Sequence, residues 1–176
     1  MAQERTGVAT LKGNPLTLLG PDLKVGDTAP EFTVRKGLED VNSSTYNGTV
    51  RIISSVPSLD TPVCDAQTRR FNDEAAKLGD VKIITVSMDL PFAGNRFCST
   101  AGIDKVDVLS DYKTGDFGEK YGVLIKEHHL DMRAIFVVDR NNKITYKQIV
   151  PELTEHPDYD AALAAAKKAL GQTASA

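Results

Sequence analysis

The amino-acid sequence predicts an α/β fold in which helices flank a central mixed β-sheet on both faces. Three observations support this prediction. Short apolar segments of strand length alternate with segments of helical spacing through the middle of the chain. A hairpin signal, Arg140-Asn141-Asn142, then separates two further strands, and an alanine-rich helix follows them. Such alternation is typical of a sheet covered by helices. The 176 residues fit a single domain over 1–176, because a domain holds roughly 100–200 residues.

The predicted order of elements starts with a hairpin. Val8–Leu11 and Leu16–Leu19 flank Gly13-Asn14-Pro15, which predicts a hairpin over about 8–19 that is added before the core. Phe32–Arg35 is predicted to be extended, and Val50–Val56 is an apolar strand that leads into a cysteine-bearing segment. The remaining predicted elements are a helix through Phe71, Ala75 and Leu78, a strand over Val81–Ser87, a helix over Phe92–Ala101, a strand over Val106–Leu109, a helical turn over Phe117–Tyr121, a polar loop over Lys126–Asp131, strands over Arg133–Asp139 and Lys143–Val150, and a helix over Asp158–Leu170. Residues 172–176 are expected to form a loose tail.

The composition argues against several classes of protein. Hydrophobic residues make up 41% and charged residues 26% of the chain, which is ordinary for a globular protein in water. The formal net charge of −3 argues against a nucleic-acid partner, since nucleic-acid binders usually carry a basic stripe. No run of about 18 apolar residues occurs, so no membrane partner is expected. The amino terminus lacks the apolar core of a signal peptide, which predicts a cytoplasmic protein. Two cysteines do not form a disulfide scaffold, and a bond between them is expected to be catalytic or redox-sensing.

The most informative segment runs from Pro57 to Cys64 as Pro-Ser-Leu-Asp-Thr-Pro-Val-Cys. Asp60 or Thr61 is a favourable N-cap, and Pro62 suits the first helical position. If Thr61 is the cap, Cys64 lies at position N3, where free backbone N–H groups and the helix dipole favour a thiolate. The alternative is a buried cysteine that acts as a small hydrophobic residue. A strand followed by a helix with a cysteine in its first turn is also the plan of thioredoxin-like folds.

The same segment resembles the peroxidatic-cysteine motif of the peroxiredoxins, Pro-x-x-x-Thr/Ser-x-x-Cys. The longer run from Val56 to Phe71 is similar to one subfamily, the bacterial thiol peroxidases, which are atypical two-cysteine peroxiredoxins. Leu11-Lys12-Gly13-Asn14-Pro15, Leu23-Lys24-Val25-Gly26-Asp27 and Arg133-Ala134 fit the same subfamily. The resemblance therefore extends over nearly the whole chain, and its central motif is highly specific.

The resemblance implies a reaction cycle for the two cysteines. Cys64 would attack the terminal oxygen of hydrogen peroxide or an organic hydroperoxide and become a sulfenic acid. Cys98 resembles the resolving cysteine, which would condense with that sulfenic acid into an intramolecular disulfide. Thioredoxin would reduce the disulfide, the role would be antioxidant defence, and the enzyme would be a homodimer without a cofactor. The alternative for Cys98 is a core cysteine beside Phe97.

Thiolate supply alone does not make a peroxidase, because even a large rise in thiolate fraction at neutral pH is worth only about thirtyfold. Donors that hold the peroxide and stabilise the leaving oxygen must supply the rest. The resemblance implies Thr61, Arg133 and Pro57 as the substrate-binding residues. The hydroxyl of Thr61 would contact sulfur and peroxide, Arg133 would supply a permanent charge with several donors, and Pro57 would shield the thiolate from water. The alternatives are an N-cap, a strand-end surface arginine and a strand-ending proline.

The two cysteines are predicted on separate helices, which sets a geometric condition. A disulfide needs Cα atoms about 4.4–6.8 Å apart, and helices packed for peroxide binding need not meet it. The reduced protein is therefore expected to keep the thiols apart, and one or both helices to unwind locally in each turnover.

Two other functions remain open from the sequence. One is a noncatalytic redox sensor that uses the same cysteines, and the other is a cysteine hydrolase that pairs Cys64 with His128 or His129. No metal site is expected, because adjacent histidines point in different directions and no further spacing completes a zinc site with His156. The three histidines are predicted to be solvated loop residues.

Overall fold

The computed structural model describes residues 2–171 of the chain. In chain order its elements are β1 (Glu4–Leu11), β2 (Asn14–Leu19), β3 (Thr33–Lys36), β4 (Glu39–Asn42), a 3₁₀ turn (Ser43–Tyr46), β5 (Val50–Ser55), α1 (Pro62–Leu78), β6 (Val81–Ser87), α2 (Pro91–Ala101), β7 (Asp107–Ser110), α3 (Asp116–Lys120), β8 (Leu124–Ile125), β9 (Leu130–Asp131), β10 (Ala134–Val138), β11 (Ile144–Ile149) and α4 (Tyr159–Gly171). The tail predicted over 172–176 lies outside the described residues. Within 2–171, no helix has both the length and the apolar character needed to cross a membrane.

The central sheet is mixed, as predicted. Its strand order is β11-β10-β5-β6-β7-β3-β4. Strands β5, β6 and β7 are parallel, and the other neighbours in the sheet are antiparallel. Because β5, β6 and β7 are parallel, their carboxyl ends lie at one edge of the sheet, which is where ligand sites of open α/β sheets form. The segments that lead into α1 and α2 both start from this edge.

Alternating side chains of each strand supply the two faces of the sheet. In β10, Ala134, Phe136 and Val138 join the apolar cluster that includes residues of α3 and of the β1–β2 hairpin. Ile135 and Val137 point to the other cluster, which α1 and α4 cover and against which part of α2 packs. The predicted arrangement, with helices on both faces, is therefore confirmed, and the β1–β2 hairpin shares one face with α3.

Three local predictions need correction. Strand β4 was not predicted, because its exposed charged residues Glu39 and Asp40 hide the strand pattern. The loop predicted over Lys126–Asp131 ends in β9, which pairs with β8, and two-residue strands carry no usable periodicity. The first hairpin turns at Lys12 and Gly13 rather than at Gly13-Asn14-Pro15.

The turn at Lys12 and Gly13 has a simple backbone explanation. Both residues have positive φ, 49° and 81°, and Leu11 pairs with Asn14. Two positive φ angles match the tight turn whose twist suits a hairpin, and glycine adopts such an angle without steric cost. This hairpin belongs to a second sheet with the order β1-β2-β8-β9.

Candidate active site

Cys64 lies in the first turn of α1, at the position the sequence predicts. Thr61 is the N-cap and Pro62 the first helical residue, so Cys64 is at N3. The first intrahelical bond runs from Asp65 N to the Thr61 carbonyl at 2.9 Å. The N–H groups of Val63 and Cys64 precede that bond and have no partner inside the helix. Cys64 thus lies at the positive end of the helix dipole.

The environment of Cys64 is buried as well as electropositive. The residue has 0% exposure and packs in a small cluster with Val56 and Leu59, against which Phe97 of α2 also packs. Pro57, the next residue after Val56, is buried too. Cys64 and the residues around it are therefore shielded from solvent in this structure.

The hydroxyl of Thr61 faces backward along the chain. Its Oγ1 donates to the Ser58 carbonyl at 3.0 Å, and the side chain makes no capping hydrogen bond to α1. Among residues 2–171, no hydrogen bond joins Thr61 to the Cys64 sulfur. Because its proton is engaged by Ser58, the hydroxyl oxygen is left as an acceptor. Its predicted contact with sulfur and peroxide stays a prediction.

Arg133 is a buried cation. It directly precedes β10 and is only 1% exposed. Its Nε donates to the Leu153 carbonyl at 2.9 Å, and its Nη1 donates to Gln67 Oε1 at 2.9 Å. Within residues 2–171, it forms no ion pair with a carboxylate. A guanidinium has five N–H donors, so several remain uncommitted. The interpretation as a strand-end surface arginine does not fit this burial.

Gln67 fixes Arg133 and was missed by the sequence analysis. It is fully buried on α1, one turn after Cys64. Its Nε2 donates to Ser54 Oγ at 2.5 Å, which orients the amide so that Oε1 faces Arg133. The neighbouring Ser55 donates to the Met132 carbonyl at 2.8 Å. Two consecutive serines at the end of a buried strand were the available signal for these polar partners.

The electrostatic environment of Tyr159, at the start of α4, includes Cys64 of α1 and two arginines. Burial raises the pKa of the Tyr159 hydroxyl, while the charges of Arg133 and Arg70 act to lower that pKa and Cys64 acts to raise it. The Arg70 guanidinium carbon lies 5.2 Å from the centre of the Tyr159 ring. Arg70 pairs with Asp160 at 3.1 Å. Tyr159 at the start of α4 is thus within electrostatic reach of Cys64 and both arginines. Of these two arginines, Arg70 pairs with carboxylates and Arg133 pairs with none among residues 2–171.

Cys98 has a different environment from Cys64. It lies in the second half of α2 and is partly buried. Burial raises the pKa of the Cys98 thiol, and Lys36 offsets part of that rise. Both cysteines are free, and they are not at disulfide distance. The prediction that the reduced thiols are held apart on separate helices is confirmed.

The histidines occupy the surface. His128, His129 and His156 are exposed, and His156 Nδ1 lies 2.7 Å from the Tyr159 hydroxyl. Within the described part of the chain, no group of three or more His, Cys, Asp or Glu residues is arranged to hold a metal ion.

Comparison with known proteins identifies the family. The Redoxin family matches residues 24–163. The thiol peroxidase of Oceanobacillus iheyensis is 56% identical over 155 residues, which are 88% of this chain and 94% of that protein. The thiol peroxidase of Bacillus subtilis is 55% identical over 159 residues, covering 90% of this chain and 95% of that protein. This chain belongs to the thiol peroxidase family.

Solved structures agree with the fold expected for a thiol peroxidase. A peroxiredoxin-like protein from Aquifex aeolicus superposes with a TM-score of 0.86 at 46% sequence identity, covering 93% of this chain and 96% of that chain. The central mixed sheet, the flanking helices and the Redoxin match together show that the fold is thioredoxin-like, as predicted.

Proposed function

We propose that Cys64 of this thiol peroxidase is the nucleophile that reduces hydroperoxides and that Cys98 is the resolving thiol. Membership of the family gives the reaction class, because a thiol peroxidase is a thiol-dependent peroxidase and an oxidoreductase. The observation that carries the residue assignment is the buried Arg133 guanidinium without a carboxylate partner. An unpaired buried cation is costly, and a thiolate at Cys64, on the helix that Gln67 ties to Arg133, would offset this cost.

In the first step, the thiolate attacks the distal oxygen of the hydroperoxide. A sulfur–oxygen bond forms, the oxygen–oxygen bond breaks, and the leaving oxygen takes a proton to give an alcohol or water. The uncommitted N–H groups of Arg133 stabilise the charge that develops on the leaving oxygen. Thr61 accepts a hydrogen bond from the peroxide O–H, since its own proton is held by Ser58. Pro57 keeps water away from the sulfur.

In the second step, the Cys98 thiol condenses with the Cys64 sulfenic acid. A disulfide bond forms and one water molecule leaves, which ends the cycle until a dithiol supplies two electrons. The raised pKa of Cys98 supports this division of roles, because a protonated thiol reacts poorly with peroxide. The separation of the thiols supports local unwinding of α1 and α2 before the bond closes.

The physiological setting is also part of the proposal. We propose thioredoxin as the dithiol reductant, antioxidant defence as the role, the cytoplasm as the location and a homodimer as the working unit. We further propose that 1–176 form one domain, which the apolar clusters shared by the hairpin, the central sheet and the helices support. A noncatalytic redox sensor would use the same cysteines but would not turn over with a reductant. For the hydrolase alternative, neither His128 nor His129 bonds to Cys64 within the described residues.

A coupled assay with purified thioredoxin and its reductase tests the proposal. The native chain should consume peroxide through many turnovers, and Cys64→Ser should consume none. Cys98→Ser should consume one equivalent and stop as the sulfenic acid, which mass spectrometry of the trapped protein detects. Peroxide consumption that survives Cys64→Ser, or a Cys98→Ser protein that consumes less than one equivalent, would contradict the assignment. Single-equivalent consumption by the native chain, even with reductant, would favour the sensor.

A further inference from the structure

Asp89 occupies the connection between β6 and α2, two residues before Pro91 begins the helix that carries Cys98. Its carboxylate accepts three hydrogen bonds. Oδ1 accepts from Ser58 Oγ at 2.7 Å, and Oδ2 accepts from Leu59 N at 2.6 Å and from Ser87 Oγ at 2.8 Å. Two of these donors belong to the segment 57–61, which precedes the helix that carries Cys64. One carboxylate therefore joins the approaches to both cysteine-bearing helices.

The hydrogen bonds continue from Asp89 to Thr61. Ser58, held at its hydroxyl by Asp89, uses its carbonyl to accept from the Thr61 hydroxyl at 3.0 Å, and its Oγ also accepts from Asp60 N at 3.1 Å. The position of Asp89 itself is fixed by Ser110 of β7, whose hydroxyl donates to the Asp89 carbonyl. The orientation of Thr61 therefore depends on a chain of bonds that starts at the sheet and passes through Asp89 and Ser58.

We propose that Asp89 is a positioning residue that holds the segment 57–61 in the arrangement that reacts with peroxide and must release it before the disulfide forms. The proposal rests on the proposed roles of Cys64 and Cys98. Hydrogen bonds to a carboxylate are stronger than those between neutral groups, so this contact is a substantial barrier to local opening. It couples the two helices because neither α1 nor α2 can leave its starting position without straining the bonds at Asp89.

The coupling gives two effects of opposite sign. Loss of Asp89 slows the oxidation of Cys64, because Thr61 and the start of α1 are less well placed. The same loss speeds disulfide formation, because less has to be broken before Cys64 meets Cys98. A third consequence concerns a second hydroperoxide, which converts the sulfenic acid to a sulfinic acid and is itself reduced to the alcohol. Faster disulfide formation leaves less time for that reaction.

Asp89→Ala is the direct test. With prereduced protein and no reductant, rapid mixing measures the rate of peroxide loss, and quenching with a thiol-blocking reagent measures the rate of disulfide formation. We expect peroxide oxidation to fall about tenfold and disulfide formation to rise about tenfold, as loss of hydrogen bonds to a charged group implies. The sulfinic acid formed per turnover at high peroxide should decrease.

Asp116→Ala is a matched control. The Asp116 carboxylate accepts from Thr33 N at 2.8 Å and its side chain is 27% exposed, but it lies on α3, which carries no cysteine. Both rates should be unchanged in this variant. Ser58→Ala, at a partly exposed position, removes one bond to Asp89 and should shift both rates in the directions of Asp89→Ala by a smaller factor. If circular dichroism shows that Asp89→Ala is unfolded, the proposal is decided by the two rates, peroxide oxidation and disulfide formation, measured in Ser58→Ala.

Two results would overturn it. One is that both rates fall together or stay unchanged when the Asp89–Ser58 contact is removed. The other is that Asp116→Ala has the same effect as Asp89→Ala. Failure of the proposed function is distinguishable, because that would appear as peroxide consumption by Cys64→Ser. Suppose that Cys64→Ser is inert but that the rates of peroxide oxidation and disulfide formation do not change in opposite directions in the Asp89 and Ser58 variants. Then only the proposed role of Asp89 fails.

Discussion

The two cysteine-bearing helices start alike and are anchored differently. Both α1 and α2 begin with a proline after an N-cap that makes no side-chain bond to the helix. In α2, only Pro91 and Gly94 are buried. The buried residues of α1 continue along its length and are Cys64, Gln67, Thr68, Phe71, Ala75 and Leu78. Few buried contacts mean a low cost of local opening. Much of α2 can therefore open at a lower cost than α1, whose buried residues begin at Cys64 in its first turn.

The electrostatic surroundings of the two thiols differ as well. Cys64 lies at the positive end of α1 beside a region that contains the buried Arg133, which Gln67 ties to the same helix. Cys98 lies away from the start of α2, and burial raises the pKa of its thiol. The helix with more buried residues thus carries the thiol that we propose as the nucleophile, and the helix with fewer carries the proposed resolving thiol.

Removal of Arg133 should have the largest effect on the difference between the surroundings of the Cys64 and Cys98 thiols. Arg133→Ala should slow the oxidation of Cys64 by about 10²-fold or more, because a preorganised donor to the leaving oxygen is lost. Rapid mixing of the reduced protein with peroxide measures this rate, and urea unfolding should remain cooperative. Arg70→Ala is the control, since Arg70 is partly exposed and paired with Asp160 and Glu74. A loss of only severalfold in Arg133→Ala would place the donor elsewhere, with Arg70 as the next candidate.

A smaller change, at the contact between Gln67 and Arg133, should give a smaller loss of rate. Gln67→Met keeps the volume of the side chain but removes the acceptor for Arg133 and the donor to Ser54. Oxidation of Cys64 should slow by about tenfold, the usual cost of one hydrogen bond to a charged group. Gln67→Glu restores an acceptor and should recover part of the rate. An effect of Gln67→Met equal to that of Arg133→Ala would mean that Gln67 does more than orient the guanidinium.

Much of this contrast could be predicted from the sequence, because its signals are local. Thr61, Pro62 and the spacing to Cys64 define a helix start without any tertiary information. Arg133 was assigned only through the resemblance to a family, since nothing local marks an arginine before a strand as buried. Gln67 and Asp89 were missed because their partners are distant in sequence and reach them only after the sheet has formed.

Hydrogen exchange sharpens the comparison between the helices. After oxidation to the disulfide, amides over 61–67 and 92–101 should exchange about tenfold faster than in the reduced protein, because both segments lose helical bonds. The strands β5 and β10 should not change. Cys98→Ser treated with one equivalent of peroxide is the control, since it cannot form the bond and should exchange like the reduced protein. Equal exchange in both redox states would show that the disulfide forms without unwinding.

A third region, made of β9 and the segment that follows β7, supplies a reference. Asp131 of β9 is fully buried, and neither of its oxygens accepts a hydrogen bond from the described residues. Its neighbour Asp111 accepts from Phe117 N at 3.0 Å and Gly118 N at 2.9 Å. Burial and the Asp111 charge raise the pKa of Asp131 well above its usual value of 3.8. Burial also raises the pKa of Asp111, so this pair of carboxyls retains a proton to a higher pH than a solvent-exposed carboxyl does. The pair is so close to α3 that a Cβ on Gly118 would lie 2.1 Å from Asp131 Oδ1.

This pair should make global stability depend on pH without changing the helix contrast. The folded chain keeps the Asp131 proton over a pH range in which the unfolded chain has lost it. Its stabilising contribution is therefore complete below the usual value and is lost as the pH rises through the raised pKa. Urea unfolding should show less stability at about pH 8 than at about pH 5 from this group. Asp131→Asn, whose amide does not titrate, should remove that difference. Asp22→Asn should leave it unchanged, because Lys147 and Lys24 hold the pKa of Asp22 below its usual range. Because the Asp111 carboxylate bonds to α3, the local exchange of 92–101 should be the same in the native chain and Asp131→Asn. A change there would mean that α2 opens only through global unfolding, and the difference in anchoring between the helices would lose its basis.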